Sequence, residues 1–443
     1  MRRTTRYIAL AAVILWAGTW TVAYGQTGNC YGNLAGCLDA SFGTGGLVTT
    51  PGMSAAVHDV AFQNIDGQQL IVATPGLGAS WTLARYLPNG ALDTSFGKDG
   101  FVTRTYKNNY STVRHVAVQP DNCLVVAGSV PYGKPTVQAF AVGRYLPNGE
   151  PDPTFGAAGL VVVPMLVFTN KTSSAAHDVA VLPDGTIIAV GNAGALVVAI
   201  RLDRFGNIDK TFGNTTPKKD GKFIHRDCYG TAEEMAIQPD GRIVIAGKTN
   251  LTPYSLYRAT VMRLTPTGQL DTGFANRGLA ILEAPGEANW YYNGMALDPA
   301  TGAILAAGTV GPVGDSTHST LALLARYLAD GSLDPSFGSG GKVLHQWASG
   351  NNFYEDVDFQ PDGRILVVGS VGPDVITMPP DRHLIVSAWR FLADGSPDAT
   401  FGQNGWVTTS FPNMGDIAWC LAQQGDGKFV VGASGFALLR YFQ

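Results

Sequence analysis

Six short clusters of ionisable residues recur at matching places along this 443-residue chain: His58-Asp59, Arg114-His115, His177-Asp178, Glu233-Glu234, Glu355-Asp356 and Asp416. Imidazoles beside carboxylates are the groups from which divalent-metal sites and general acid–base pairs are built. If folding brings the clusters together, His58, Asp59, His177, Asp178, Glu234 and Asp356 form a candidate metal-ligand set. Carboxylate oxygen would favour Ca2+ and imidazole would favour Zn2+. The same groups would serve a hydrolase or a lyase. The plainer reading is a solvated polar lining that also hydrogen-bonds to neighbouring segments, and the recurrence of Asp at 59, 178, 356 and 416 favours it. Beyond that set no cofactor is expected. The chain has no Gly-x-Ser-x-Gly elbow, no His-Glu-x-x-His, no phosphate loop and no dinucleotide fingerprint.

A second set is aromatic. Tyr110, Tyr132, Tyr254, Trp290, Tyr291, Trp347 and Phe353 lie in segments rich in Asn and Thr, such as TNLTPYSLYR at 249–258 and QWASGNNFY at 346–354. Mixed polar and aromatic surfaces stack against and hydrogen-bond to sugars and peptides. The alternative use of the same side chains is to cover the strands beneath them.

The elements that position both sets come from internal repetition. A motif of the form Asp-x-[Ser/Thr]-Phe-Gly, with small variations, places Phe at 42, 96, 155, 212, 274, 337 and 401, a period of 54 to 64 residues. A second motif, Arg-Tyr-Leu and variants, places Arg at 85, 144, 201, 263, 326, 390 and 440. From each of the first six arginines the next motif's Asp follows at a constant eight residues, as in Arg85/Asp93 and Arg390/Asp398. An arginine inside an apolar strand needs a partner, and a carboxylate across a turn supplies one. The Phe is expected to wedge between repeats.

Within one repeat, 354–360 alternates apolar and polar residues before a Pro-Asp-Gly turn. The run 364–370 (RILVVGS) reads as a buried strand, and 384–392 and 405–410 complete a set of four strands. Seven such sets predict an all-β fold, a seven-bladed β-propeller of four-stranded antiparallel blades. The N-terminal strand 46–50 has no partners before it, and the strand 436–442 has no fourth strand after it. Pairing the two completes the seventh blade and brings Asp39 to Arg440. With the first strands on the axis, the constant turns share one face. The variable loops, with the aromatic set, share the other, where binding residues are expected to ride.

LDASFGTGG at 38–46, QPDGRI at 238–243 and ARYLADGSLDPSFGSGGKV at 325–343 resemble the delta-60 repeat of exported bacterial proteins. The likeness runs over essentially the whole chain past residue 37. Ala275 after Phe274, and Asn122 in Pro120-Asp121-Asn122, depart from it. The resemblance implies a propeller-like repeat and export, and carries no activity.

Export is also legible directly. Arg2, Arg3 and Arg6 precede an apolar stretch at 7–18 and the small residues Ala23 and Gly25, so 1–25 reads as a signal peptide. That stretch is shorter than the ~20 residues of a spanning helix. Residues 26–37 are a lead-in, and 38–443 a single propeller. Leu34-Ala35-Gly36-Cys37 matches a lipoprotein box, though a polar segment separates it from the apolar stretch. The five cysteines lie at 30, 37, 123, 228 and 420, and Cys30 with Cys37 is the expected bridge. Asn109, Asn170, Asn214 and Asn250 begin glycosylation-type triplets.

A net charge of −4 and the lack of a Lys/Arg cluster past the N-terminus exclude a nucleic-acid partner. The sequence therefore predicts a secreted, periplasmic or cell-surface propeller, monomeric and without a membrane span after processing. It would recognise a carbohydrate, peptide or protein through its variable face and act as a binding module more than an enzyme. The alternatives are a hydrolase or lyase using the His/acid ring, and a structural surface component.

Overall fold

The computed structural model describes residues 34–443 apart from 79, 107–109, 134–135, 168–169, 215–219, 228, 251–255, 283–287, 313–319, 348–349, 373–383 and 411–415. Residues 1–25, expected to be a signal peptide, and Cys30, Cys228 and Tyr254 lie outside the described residues.

Seven antiparallel sheets follow one another around an axis, each with strands a to d from the inside outwards. Strand a is Val57–Ile65, Ser111–Val118, Ser174–Val181, Tyr229–Ile237, Ala288–Leu297, Asn352–Phe359 and Ala418–Gln424 in blades 1 to 7. Each strand a packs against those of both neighbouring blades, so the seven close a ring. Strand b is the dry layer. Ile365–Val371 is buried at every position because both its faces meet other blades, which is why the sequence there is apolar but for Ser370. Small additions sit outside the repeat: Leu77–Gly78 pairs with strand a of blade 2, and Met165–Val167 forms a hairpin with Asn170–Thr172. Among the described residues no helix is long and apolar enough to cross a membrane.

The repeated motif explains how blades are joined. Arg85 Nε donates to Asp93 Oδ2 at 2.7 Å, and the same bond recurs in the other six blades. In six blades the other carboxylate oxygen accepts from the Ser or Thr hydroxyl two residues on, as Asp93 Oδ1 does from Ser95 Oγ at 2.6 Å, and in blade 4 Asp271 Oδ1 accepts from Gly273 N instead. The guanidinium then lies over the motif Phe, with Arg85 4.5 Å from the Phe96 centroid and Arg201 5.2 Å from that of Phe212. In six blades Nη1 also donates to a main-chain carbonyl in the next blade's turn, for example Arg85 to Pro147 and Arg263 to Ala329, both at 2.6 Å. One residue pair thus satisfies a buried charge and ties adjacent blades.

The seventh blade takes its strand d from the other end of the chain. Leu47, Val48 and Thr49 pair antiparallel with Leu439, Leu438 and Ala437. Arg440 bonds Asp39 across this seam, with Nη2 at 2.7 Å from Oδ2 and both side chains 5% exposed. The N-terminal contribution begins earlier than the expected boundary at 38. Gly36 N donates to Phe442 O at 2.9 Å and Phe442 N to Cys37 O at 3.0 Å, so Leu34–Asp39 forms the turn that Pro88–Asp93 forms in blade 1. Gly36, with φ +86°, takes the place of Gly90, whose Cβ would strike Phe42. The four residues that match a lipoprotein box are therefore used as a propeller turn. Cys37 is 3% exposed and disulfide-bonded. Among the described residues, Arg390 is the motif arginine whose Nη1 has no turn carbonyl. Its neighbour is the closing blade, where Gln443 occupies that place and turns back to donate to Gly427 O.

Candidate functional site

The alternation of strand a breaks at the same place in all seven blades. Register shifts fall at 57/59, 113/115, 176/178, 232/234, 292/294, 354/356 and 418/420. A bulge lets two consecutive side chains turn to one face. On an axial strand that face is the channel. The result is two stacked rings. The upper one, nearer the variable loops, is His58, Arg114, His177, Glu233, Asn293, Glu355 and Trp419. The lower one is Asp59, His115, Asp178, Glu234, Gly294, Asp356 and Cys420. Most of these line an axial cavity of about 540 Å³.

This register corrects one expectation. Asp416 is not part of either ring, because the bulge of blade 7 carries Trp419 and Cys420 instead. Asp416 lies buried three residues before the bulge, where its main-chain N donates to Leu384 O at 3.0 Å.

The lower ring is a set of ties. Asp59 Oδ2 accepts from Val116 N at 2.7 Å, Asp178 Oδ2 from Met235 N at 2.6 Å, Glu234 Oε2 from Met295 N at 2.6 Å and Asp356 Oδ2 from Leu421 N at 2.7 Å. Each donor belongs to strand a of the following blade. His115 Nε2 stands 3.5 Å from Asp59 and its Nδ1 3.1 Å from Asp178, the latter without hydrogen-bond alignment. Burial disfavours the imidazolium, but the carboxylates of Asp178, Asp59 and Asp356 outweigh it and raise the His115 pKa. Gly294 fills the blade 5 position because a Cβ would lie 2.7 Å from the Asp356 backbone.

Burial together with mutual repulsion pushes Asp59, Glu234, Asp356 and Glu355 up. Asp59 is raised chiefly by burial. Glu234 is raised well above its ordinary value by burial and by Asp356 and Asp178. Asp356 is pushed to about 7. In the upper ring Glu355 reaches about 8 through burial beside Glu233 and Asp356. Glu233 goes the other way, to about 2: burial opposes ionisation, but His177 Nδ1 at 2.9 Å and Lys248 Nζ at 3.5 Å overcome it. His58 stacks on Trp419 with centroids 4.6 Å apart, and burial with the charges of Arg114 and His177 lowers it to about 4.

Of the six residues in the candidate metal set, all belong to these rings. Among the described residues, however, no three His, Cys, Asp or Glu groups converge as a metal ion would require. The acids are spread around the ring and turned towards backbone donors.

The aromatic set does not assemble into one surface. Trp290 is 3% exposed and packs in the core between blades 4 and 5, because alternation turns it and Tyr292 inward. Trp347 is half-buried at a blade edge. It donates through Nε1 to Tyr354 Oη at 2.7 Å and lies against His345 and Trp406. Phe353 is half-buried. Tyr110 and Tyr132 remain exposed on the loop edge of blade 2. Tyr291 remains accessible near the mouth, where its ring and that of Tyr257 flank Lys248 Nζ at 5.4 and 5.5 Å. Lys248, Tyr257 and Trp419 were not singled out from sequence, since only the bulge register places Trp419 on the axis.

Comparison with known proteins supports a β-propeller repeat family. A family model described as "Domain of unknown function (DUF5122) beta-propeller" matches residues 78–96, 119–155, 238–274 and 300–337. No curated protein matches the chain. Solved structures with a similar course include YCF48 from Cyanidioschyzon merolae, at 12% identity and TM-score 0.48, covering 90% of this chain and 99% of that one. A streptogramin B lyase is similar at 9% identity and TM-score 0.48, with coverages of 89% and 96%. The polysaccharide lyase Uly1 is similar at 11% identity and TM-score 0.49, with coverages of 89% and 91%. Identities this low transfer no activity.

Proposed function

We propose that this protein is an exported binding propeller that takes a polar ligand, a carbohydrate, a peptide or an extension of a protein, at the loop-face mouth of its axial channel. The observation that carries this reading is the contrast between scaffold and mouth. The Arg–Asp–Phe unit is repeated seven times with one geometry, whereas the upper bulge position holds His, Arg, His, Glu, Asn, Glu and Trp in turn. A ring whose seven equivalent positions differ in charge and shape suits an asymmetric ligand. The ring below favours binding over catalysis, because four of its carboxylates are committed to main-chain donors of the next blade.

The test is a glycan and peptide array with the full chain, repeated with Trp419→Ala, His177→Ala and, as a loop-edge control, Tyr110→Ala. Loss of signal in the first two with retention in the third supports the mouth. The reverse pattern moves the site to the outer rim, and turnover of an arrayed substrate favours the hydrolase or lyase reading.

A further inference from the structure

Nearly every charged group on the cavity wall is accounted for. Asp59, Asp178, Glu234 and Asp356 hold backbone donors. His115 lies between Asp59 and Asp178, and His177 holds Glu233. Asp358 accepts from Gln423 Nε2 and Phe359 N. Two groups are left. Arg114 and Glu355 both line the cavity, and neither has a hydrogen-bond or ion-pair partner among the described residues. They occupy the same upper-ring position in blades 2 and 6. Three steps around a seven-membered ring separate these blades, so the two groups stand on opposing walls.

An unpaired guanidinium facing an unpaired carboxyl across a cavity is a two-ended receptor. Resting on the reading of the mouth as a binding site, we infer that its ligand is a zwitterion, a free amino acid or short peptide, with its carboxylate on Arg114 and its ammonium on Glu355. The guanidinium fork matches a carboxylate in two parallel bonds. The stacked His58–Trp419 wall beside Glu355 offers an aromatic face to the ammonium end. A cavity of about 540 Å³ is within the range of small-molecule sites and leaves room for more than a single residue. The groups facing Glu355 are Glu233, Asp356, Lys248 and the Tyr291 hydroxyl. Their net effect with burial is to hold it protonated at neutral pH in the empty site. Binding of an ammonium therefore expels a proton, and affinity rises from pH 6 to pH 8.

The experiment is calorimetry of the full chain with alanine, dialanine and trialanine, each also as its N-acetyl and C-amide derivative. The expected result is saturable binding of an unmodified member, with a loss of roughly tenfold or more on capping either end, as for a charged hydrogen bond. Glu355→Gln abolishes the penalty for acetylation and the pH dependence, while keeping the penalty for amidation. Arg114→Gln does the converse, and Arg114→Lys, which retains charge, serves should the glutamine change unfold the blade. If capped and uncapped compounds bind alike, or none binds, the zwitterion is wrong. An array ligand still lost on Trp419→Ala would then leave the mouth standing as the site. If array ligands ignore the mouth as well, both readings fall.

Discussion

Replacing Arg440 with Met should open the ring at its seam. The methionine keeps most of the side-chain volume over Phe42 but removes the guanidinium from Asp39, from Pro88 O and from Ser41 Oγ. Asp39 would stay buried with Lys428 Nζ at 3.1 Å as its remaining cation. Breaking a buried pair from one side costs about 3–5 kcal/mol, and the surviving lysine puts this case near ~3 kcal/mol. The protein carries its own control. Arg201 and Asp209 form the same bond with side chains 19% and 27% exposed, so Arg201→Met should cost about 1 kcal/mol or less. Urea unfolding of both variants gives the difference, and hydrogen exchange locates it. In Arg440→Met, protection should fall at 34–49 and 437–442 together, although 401 positions separate the paired residues. Equal costs for the two variants, or exchange confined to one terminus, would refute the argument that burial of the pair and its place at the seam set its worth.

Above about pH 6.5, where the lowered imidazoles of His58 and His345 have already made their contribution, stability should fall as pH rises to 8. The folded-state pKa of Glu355 is raised to about 8 from 4.5, so the native state holds a proton that the unfolded state has lost. His115, also raised, stabilises below its unfolded value and loses that contribution as pH climbs through its folded one. Melting curves of Glu355→Gln should be flatter with pH and higher at pH 8; an unchanged slope would contradict the placement of that carboxyl. Gly294→Ala should destabilise by about 1–3 kcal/mol through overpacking, because the new methyl meets the backbone of blade 6, and a neutral result in urea unfolding would show that the inner strands are not in close contact. Cys123 and Cys420 are buried free thiols, their pKa values pushed up to about 11 and well above 9 mainly by burial, so neither should react with an exposed-thiol reagent at pH 8 until the protein unfolds.

The architecture was legible because it is written seven times. A motif with Arg and Asp at fixed spacing identifies the turn it closes, and strands that alternate or run apolar identify their layer. The site was legible only in part. Aligning the clusters by residue type placed Asp416 in the ring, whereas pairing register places Trp419 and Cys420 there; a bulge adds a residue without any fixed sequence mark. Trp290 and Trp347 resembled surface aromatics by their polar neighbours. The parity of strand a turned one into the core, and a hydrogen bond to Tyr354 drew the other to a blade edge. Arg114 and Glu355 were visible as members of charged pairs, but their lack of partners is a property of three dimensions.

The most direct measurement is a high-resolution structure of the full chain grown with dialanine at pH 8. The account predicts density on the axis between Arg114 and Glu355, with a carboxylate forked by the guanidinium. Ligand density on the outer rim, with only water between those two residues, would contradict it.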